Sequence, residues 1–209
     1  MNKYSYGSQN SPYKGSGVLT REQFFFFEMR TTAKLMISDL SDEQIIEQIV
    51  NENLFQYPTE RTIKKAASSC VNRLRSLNDD ILVKAIAEGD SQTAKQICLY
   101  AMMLYYRIIW DFMITVIGEK YRQQDFTFSR RDISVFFMRL QEQDDTVASW
   151  SEATIKKIES EINKILIENE YIHDRKATHL NPVMICRILE SSIRESGKEM
   201  ALPAFNCLA

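Results

Sequence analysis

Hydrophobic residues recur every three or four positions along most of the chain, which is the spacing of the buried face of an α-helix. Residues 1–17 lack this spacing and are mostly Ser, Gly, Asn and Tyr, so we expect them to form a flexible tail. Beyond the tail, the pattern predicts a helix from Phe24 to Ile37, opened by a capping box at Thr20. A second capping box at Ser41 predicts a shorter helix after it.

Two further helices complete a predicted N-terminal helical unit, which covers residues 18–90. Pro58 breaks the chain before the first of them, which is expected from Thr59 to about Leu77. The second is short, covers residues 79–87 and ends before Gly89, because glycine commonly terminates helices.

The longest hydrophobic run predicts a single central helix, within a unit that covers residues 91–128. Positions 97–117 are apolar except for Arg107, Asp111 and Thr115, and this length would also suit a membrane span. An Arg or Asp near the centre of a bilayer costs roughly 2.5 to 3.5 kcal/mol, which opposes insertion. We therefore expect a buried helix, with Arg107 and Asp111 paired across one turn, and no membrane contact.

The remaining pattern predicts a C-terminal helical unit over residues 129–209. One helix begins after Ser129, and a second runs from Ser151 to about Asn169. Residues 171–180 are expected to form a turn or a tiny wing hairpin, and a last helix is expected to begin at Pro182. The fold class is thus predicted to be all-α, with about eight helices around the long central one.

Aromatic residues are concentrated on the predicted central helix. They are Tyr100, Tyr105, Tyr106, Trp110 and Phe112. Such a group could stack on nucleic-acid bases, but its position on the most apolar helix favours packing in the core.

The overall charge excludes a globally basic protein. The chain has 209 residues, with 26 Lys and Arg against 28 Asp and Glu, which gives a net charge of −2. Any binding to nucleic acid must therefore come from a local patch. No export signal opens the sequence, so a cytoplasmic location is expected.

The reactive residue types are too scattered to predict an active site. The four cysteines are far apart, and the two histidines, His173 and His179, share one short polar segment. This distribution predicts no metal site, disulfide framework or catalytic triad. The six glycines do not form a phosphate-binding loop, so we expect no enzyme activity and no cofactor.

An internal repeat is the most informative feature of the sequence. The segment T-E-R-T-I-K-K that begins at Thr59 recurs 92 residues later as S-E-A-T-I-K-K, beginning at Ser151. A short helix with the same apolar spacing precedes each copy, with Ile45, Ile46 and Ile49 in the first and Phe136, Phe137 and Leu140 in the second. Each unit is thus predicted to be a helix, a turn and a capped helix, which is the layout of a helix-turn-helix.

The outer side of each capped helix is small, polar and cationic, as a projection at 100° per residue indicates. The candidate DNA contacts of the first unit are Arg61, Thr62, Lys64, Lys65, Ser68, Asn72 and Arg73. Those of the second unit are Thr154, Lys156, Lys157, Ser160 and Lys164, with Arg130 and Arg131 as supplements. The cations would contact phosphates and the Ser, Thr and Asn side chains would lie near bases or sugars.

A charged outer face is also an ordinary property of a solvated helix, so this interpretation stays open beside DNA binding. The first unit is the better candidate, because residues 59–75 carry five basic residues and one acidic residue. The second helix mixes its lysines with Glu159, Glu161 and Glu168.

At these residues the chain resembles the BrxA family of bacterial BREX (bacteriophage exclusion) phage-defence systems. The landmarks run from about Gly17 to Pro182 and include S-G-V-L, V-N-E-N-L-F-Q, T-x-x-T-I-K-K-A, N-R-L-R-S-L, A-E-G-D followed by A-K-Q-I, and W-S-E-A-T-I-K-K. The resemblance implies a small, all-helical, non-enzymatic component of the defence system, with two helix-turn-helix-like units that bind double-stranded DNA. It also implies other BREX components as partners.

Two alternatives to duplex DNA binding follow from the same features. The charged repeats would suit a protein–protein adaptor within the defence complex. Proteins of the family are also likened to the helical RNA-binding antitermination factor NusB, which keeps RNA as a competing ligand. The groove of an A-form RNA duplex would exclude a helix that reads bases, so a comparison of matched RNA and DNA duplexes separates the two ligands.

Overall fold

The computed structural model describes residues 11–38 and 40–208, and these form an all-α protein, as predicted. Its α-helices are α1 (Phe26–Met36), α2 (Asp42–Asn51), α3 (Glu60–Ser76), α4 (Asp80–Glu88), α5 (Ser91–Tyr105), α6 (Arg107–Phe112), α7 (Glu119–Arg122), α8 (Arg130–Gln143), α9 (Asp145–Ala148), α10 (Glu152–Glu168) and α11 (Arg187–Glu195). Short 3-10 helices cover Ser16–Thr20 and Glu199–Phe205. The buried hydrophobic residues form one continuous cluster that all these helices surround.

Helix starts were predictable where a side-chain oxygen accepts an amide hydrogen of the first turn. Ser41 and Ser129 form complete capping boxes, with Gln44 and Asp132 as the reciprocal partners. The side chain of Asp79 likewise caps α4. These caps confirm the predicted starts of α2, α4 and α8, because the orphan amides of a helix need such acceptors.

The N-terminal segment differs from the prediction of a flexible tail. Residues 1–10 lie outside the described part of the chain, but residues 11–17 pack against the core. Tyr13 is buried, and its hydroxyl donates a hydrogen bond to Asp111 Oδ2 at 2.7 Å. The predicted capping box at Thr20 is also wrong: the Thr20 hydroxyl donates to the carbonyl of Gly17 at 2.8 Å, and α1 begins only at Phe26.

The predicted long central helix is divided into segments. α5 ends at Tyr105, and the continuation through α6 and α7 is bent from it by 114°. A π-helix, Met113–Gly118, joins α6 to α7. Within the described residues, no single helix combines the length and the apolar content needed to cross a membrane.

The ion pair predicted on this stretch is present. Arg107 Nε lies 2.8 Å from Asp111 Oδ2, one turn along the helix. The Asp111 carboxylate therefore bridges Arg107 and the Tyr13 hydroxyl, and this contact ties the N-terminal segment to α6.

The segment at 171–180 does not form a hairpin with itself. It lies against residues 126–128, where Phe128 N donates to Thr178 O at 2.9 Å and Leu180 N donates to Phe126 O at 2.7 Å. A single antiparallel bridge joins Thr127 to His179. The turn that was one of the two predictions is present, with Ala177 N donating to Asp174 O at 3.2 Å, whereas the alternative hairpin is replaced by an isolated bridge to a segment before α8.

The last helix begins later than predicted. Pro182 lies in an irregular stretch, and α11 starts at Arg187 after Cys186. Gln96 of α5 explains the delay, because its amide side chain donates to Met184 O at 2.8 Å and accepts from Cys186 N at 2.8 Å. These two bonds hold the stretch in an extended form, which the local sequence does not indicate.

Most of the aromatic residues on the central stretch are core residues, as expected. Tyr100, Tyr106 and Phe112 are buried. Tyr105 differs, because 42% of its surface is exposed at the point where α5 ends. Trp110 is half-buried on α6.

Candidate nucleic-acid interface

The first helix pair, α2 and α3, presents the candidate DNA-contacting residues of the first repeat. Thr59 caps α3, since its hydroxyl accepts from Thr62 N at 3.4 Å and lies 2.8 Å from the Thr62 hydroxyl. Arg75 near the end of α3 makes a bidentate contact with Asp42 at the start of α2, with Nη2 to Oδ1 at 2.7 Å. Of these contacts, the one between Arg75 and Asp42 joins α3 to α2.

The outer face of α3 is accessible to a ligand. Arg61, Thr62, Lys64, Lys65 and Asn72 are exposed, as the helical projection predicts. Ser68 is half-buried, and its hydroxyl donates to the carbonyl of Lys64 at 2.8 Å.

The cations on this face have no acidic partners among the residues that the structure describes. In residues 11–38 and 40–208, none of the ion pairs includes Arg61, Lys64 or Lys65. Their charges are therefore available to an anionic ligand.

Arg73 does not belong to this face, which corrects its prediction as a phosphate contact. The side chain is fully buried, and Nη1 donates to the carbonyl of Gln23 at 2.8 Å. Its guanidinium lies between the rings of Phe25 and Tyr106, 5.1 Å from each centroid. Arg73 therefore holds neighbouring segments of the protein together, and its buried side chain cannot contact a phosphate.

A carboxylate completes the surroundings of Arg73. Glu22 Oε2 lies 3.5 Å from Arg73 Nη2 and accepts hydrogen bonds from the Ser69 hydroxyl at 2.6 Å and from the Tyr106 hydroxyl. Burial raises the pKa of Tyr106, which keeps its phenol protonated as a donor. We call Glu22, Ser69, Arg73 and Tyr106 the Arg73 cluster. It joins the segment before α1, α3 and the break between α5 and α6.

The second helix pair, α8 and α10 with α9 between them, repeats the capping geometry of the first. The Ser151 hydroxyl accepts from Thr154 N at 3.2 Å and lies 2.9 Å from the Thr154 hydroxyl. This is the same arrangement as at Thr59 and Thr62, so the sequence repeat corresponds to a repeated local structure.

The two caps lead to a matched stability prediction. We expect Thr59→Ala and Ser151→Ala each to lower the free energy of unfolding by about 1 kcal/mol, because each removes an acceptor for a first-turn amide. Urea denaturation followed by circular dichroism measures this loss. Thr59→Ser and Ser151→Thr keep the hydroxyl and serve as controls; a loss with them as large as with alanine would contradict the capping role.

Two of the three lysines of α10 are paired with carboxylates of the same helix. Lys156 Nζ lies 2.6 Å from Glu152, and this carboxylate raises the pKa of Lys156. Lys164 Nζ lies 2.8 Å from the buried Glu161. Lys157 is exposed and takes part in none of the ion pairs found in the described chain.

Of the two supplementary arginines, Arg130 lies beside α10. Arg130, Lys156 and Ser160 line one groove of about 450 Å³. Arg175 from the 171–180 segment lines the same groove, so that segment adds a cation to the second pair. Arg131 is exposed but is not among the residues that line this groove.

Two of the four cysteines, Cys70 and Cys98, are buried. Burial raises the pKa of Cys70 to about 12 and also raises that of Cys98, so both thiols stay protonated near neutral pH. In the part of the chain that the structure describes, no group of three His, Cys, Asp or Glu side chains is placed to hold a metal ion.

The fold and this surface define an all-helical protein with two similarly capped helix pairs, of which the first presents free cations. A comparison of the sequence with known protein families identifies the family within this class. The BrxA family model matches residues 12–197, and the chain therefore belongs to the BrxA family. This confirms the resemblance found in the sequence.

Curated relatives agree with this assignment. The chain is 34% identical over 151 residues to the BREX protein BrxA of Bacillus cereus (strain H3081.97), which covers 72% of this chain and 75% of the relative. It is 26% identical over 172 residues to the BREX protein BrxA of Escherichia coli O9:H4 (strain HS), which covers 82% and 80%. It is 25% identical over 175 residues to the BREX protein BrxA of Paramagnetospirillum magneticum, which covers 84% and 87%.

The fold is also found in a crystal structure of an uncharacterized protein from Magnetospirillum magneticum. The TM-score is 0.76 at 22% sequence identity, over 90% of this chain and 96% of that one. This similarity supports the architecture alone.

Proposed function

We propose that this protein is a non-enzymatic, double-stranded DNA-binding component of a BREX phage-defence system. Membership of the BrxA family supports the place in BREX, and other BREX components are the expected protein partners. The bacterial cytoplasm is where such a component would meet DNA. The activity is binding, with no cofactor or metal.

One observation carries the DNA-binding part of the proposal. Arg61, Lys64 and Lys65 lie together in the first turns of α3, exposed and without acidic partners among the described residues. A capped helix that begins with free cations, and that follows a shorter helix across the eight-residue connection 52–59, is similar in layout to a helix-turn-helix, although its connection is longer than the usual turn of about three to four residues. The positive end of the helix dipole adds to the attraction for phosphate.

The polar residues beside these cations favour sequence-tolerant binding. The hydroxyls of Thr62 and Ser68 already take part in hydrogen bonds within α3 or its cap. Asn72 is exposed and is the side chain best placed to read a base edge. Phosphate contacts then supply most of the affinity, and these carry no sequence information.

A titration at two salt concentrations tests this function. With phosphate contacts from Arg61, Lys64 and Lys65, log affinity should fall against log salt with a slope of about −2.7. A fourfold rise in salt would then weaken binding to a labelled DNA duplex by roughly 40-fold. Tighter binding to an RNA duplex or single-stranded RNA of matched sequence would instead favour the RNA-binding alternative.

The second pair should contribute less than the first. We expect Lys156→Glu combined with Lys157→Glu to weaken duplex binding by less than about tenfold and to leave the salt slope close to about −2.7, because Lys156 is already paired with Glu152 and the three phosphate contacts come from α3. Fluorescence anisotropy with the same duplex measures this effect. An effect equal to that of the corresponding change at Lys64 and Lys65 would mean that both pairs contact DNA equally.

The neutralised face of α10 favours an adaptor role as a second candidate function. Its paired charges give a polar surface with little net attraction for phosphate, and a pattern of mixed charges can set the register of a protein partner with complementary charges. Co-purification with other BREX proteins that survives nuclease treatment, without any duplex binding, would support this role in place of DNA binding.

A further inference from the structure

Two grooves meet at the exposed Tyr105. The larger, of about 950 Å³, runs along the outer face of α3 and is lined by Arg21, Lys64 and Lys65. The smaller, of about 640 Å³, lies on the other side of Tyr105 and is lined by Lys14, Trp110 and Lys198. Both grooves share Val18, Glu22 and Tyr105 as lining residues, so they form one continuous surface, which we call the Tyr105 trough.

The charge of the Tyr105 trough suits an anionic ligand. Lys14, Arg21 and Lys198 join Lys64 and Lys65 as lining cations, and none of the five takes part in an ion pair within the described ranges. The carboxylate that lines the trough is Glu22, which Arg73, Ser69 and Tyr106 already engage. The trough thus offers positive charge along its length without an exposed, free negative charge to oppose it.

The aromatic residues of the trough suit stacked bases. Tyr57 lines the larger groove, Trp110 lines the smaller one, and Tyr105 stands between them with 42% of its surface exposed. Alternating cations and aromatic rings along a groove are the means by which proteins hold an unpaired strand: the cations follow the backbone, and successive bases stack on the rings.

We propose that the Tyr105 trough binds single-stranded DNA, as the strand that leaves a duplex docked on the outer face of α3. This inference rests on the proposed function, because Lys64 and Lys65 contribute to both surfaces. Phosphates of the strand lie along the cations, and a base stacks on Tyr105. The protein therefore prefers a duplex with an unpaired tail to a blunt one.

Tailed duplexes test this inference. We compare a blunt labelled duplex with the same duplex carrying a short thymidine tail, on either the 5′ or the 3′ side, by fluorescence anisotropy. One stacked base contributes enough that the better tailed duplex should bind about tenfold more tightly than the blunt one. A tail of the same length without bases keeps the phosphates and should lose most of this gain.

Variants locate the effect in the trough. Tyr105→Ala should reduce the gain from the tail to that of the baseless tail, and Lys14→Glu with Lys198→Glu should reduce it without changing affinity for the blunt duplex. Lys34→Glu with Lys84→Glu is a charge-matched control for the double variant, because both lysines are exposed and neither lines either groove. Circular dichroism checks that each variant is folded; the baseless tail tests stacking without any substitution.

The fluorescence of Trp110, which lines the smaller groove, reports binding in the trough directly. The chain has two tryptophans, so Trp150→Phe leaves Trp110 as the reporter. Thymidine-tailed DNA should quench its fluorescence, and the blunt duplex should not. Equal affinity for tailed and blunt duplexes, a full gain with the baseless tail, or a gain with an RNA tail alone would each overturn the assignment. If the blunt duplex does not bind at all, the proposed function fails, and quenching of Trp110 by oligothymidine then tests the trough alone.

Discussion

Lys64→Glu combined with Lys65→Glu is expected to weaken binding to duplex DNA on the order of 100-fold and to reduce the salt slope by about two. Both side chains are exposed on α3 and neither is paired with a carboxylate among the described residues, so each is free to contact a phosphate. Reversal of their charge removes two contacts and adds repulsion. Fluorescence anisotropy over a salt series measures both the affinity and the slope.

The control for this variant reverses two lysines elsewhere. Lys34→Glu with Lys84→Glu makes the same change in net charge on α1 and α4, away from the outer face of α3. Circular dichroism should show the same helicity for both double variants, because all four lysines are exposed. Unchanged duplex affinity in Lys64→Glu with Lys65→Glu would refute the DNA-binding role of α3.

Arg73→Met is expected to lower the free energy of unfolding by about 3 kcal/mol. Arg73 is fully buried, and its removal leaves Glu22 without its cation and the carbonyls of Gln23 and Phe24 without a donor. Part of the Glu22 side chain reaches solvent, 22% of its surface, which limits the loss. Urea denaturation monitored by circular dichroism gives the value.

Two comparisons separate the Arg73 cluster from a simple packing effect. Arg61→Met removes an exposed arginine from the same helix and should change the unfolding free energy by less than about 0.5 kcal/mol. Glu22→Gln added to Arg73→Met should restore part of the stability, because it removes the orphaned charge. If Arg73→Met were as mild as Arg61→Met, the cluster would have no structural role.

Most local features of this fold were predictable because they depend on residues within one helical turn; the helix starts expected at Thr20 and Pro182 are the exceptions. The caps at Ser41, Thr59, Ser129 and Ser151 each need a hydroxyl and a partner three positions ahead or fewer, and all four are present. The spacing of apolar residues likewise predicted the positions of most helices and the exposure of the cations on α3.

Features that depend on distant residues could not be predicted in the same way. On a helical projection Arg73 is one more basic residue of α3, but its partners Glu22 and Tyr106 are 51 and 33 positions away. The break at Tyr106 has no glycine or proline to mark it. The pairing of charges on α10 was partly predictable, because Lys156 follows Glu152 by four positions in the sequence, which is the spacing of an ion pair on one face of a helix.

The Tyr105 trough was missed for the same reason. Tyr105 and Trp110 lie in an apolar run, which normally indicates the core, and only the end of α5 brings Tyr105 to the surface. Arg21 follows a 3-10 helix and lines the trough beside α3, a position that depends on how the segment before α1 packs.

The Arg73 cluster also limits how this protein can be dissected. A fragment limited to α2 and α3 would carry Arg73 without Glu22, Tyr106 or the Phe25 ring, so a guanidinium that the whole chain buries would face water on an incomplete helix pair. The smallest piece that retains every member of the cluster spans residues 22–106. Transplanting the first helix pair into another protein therefore requires its flanking segments as well.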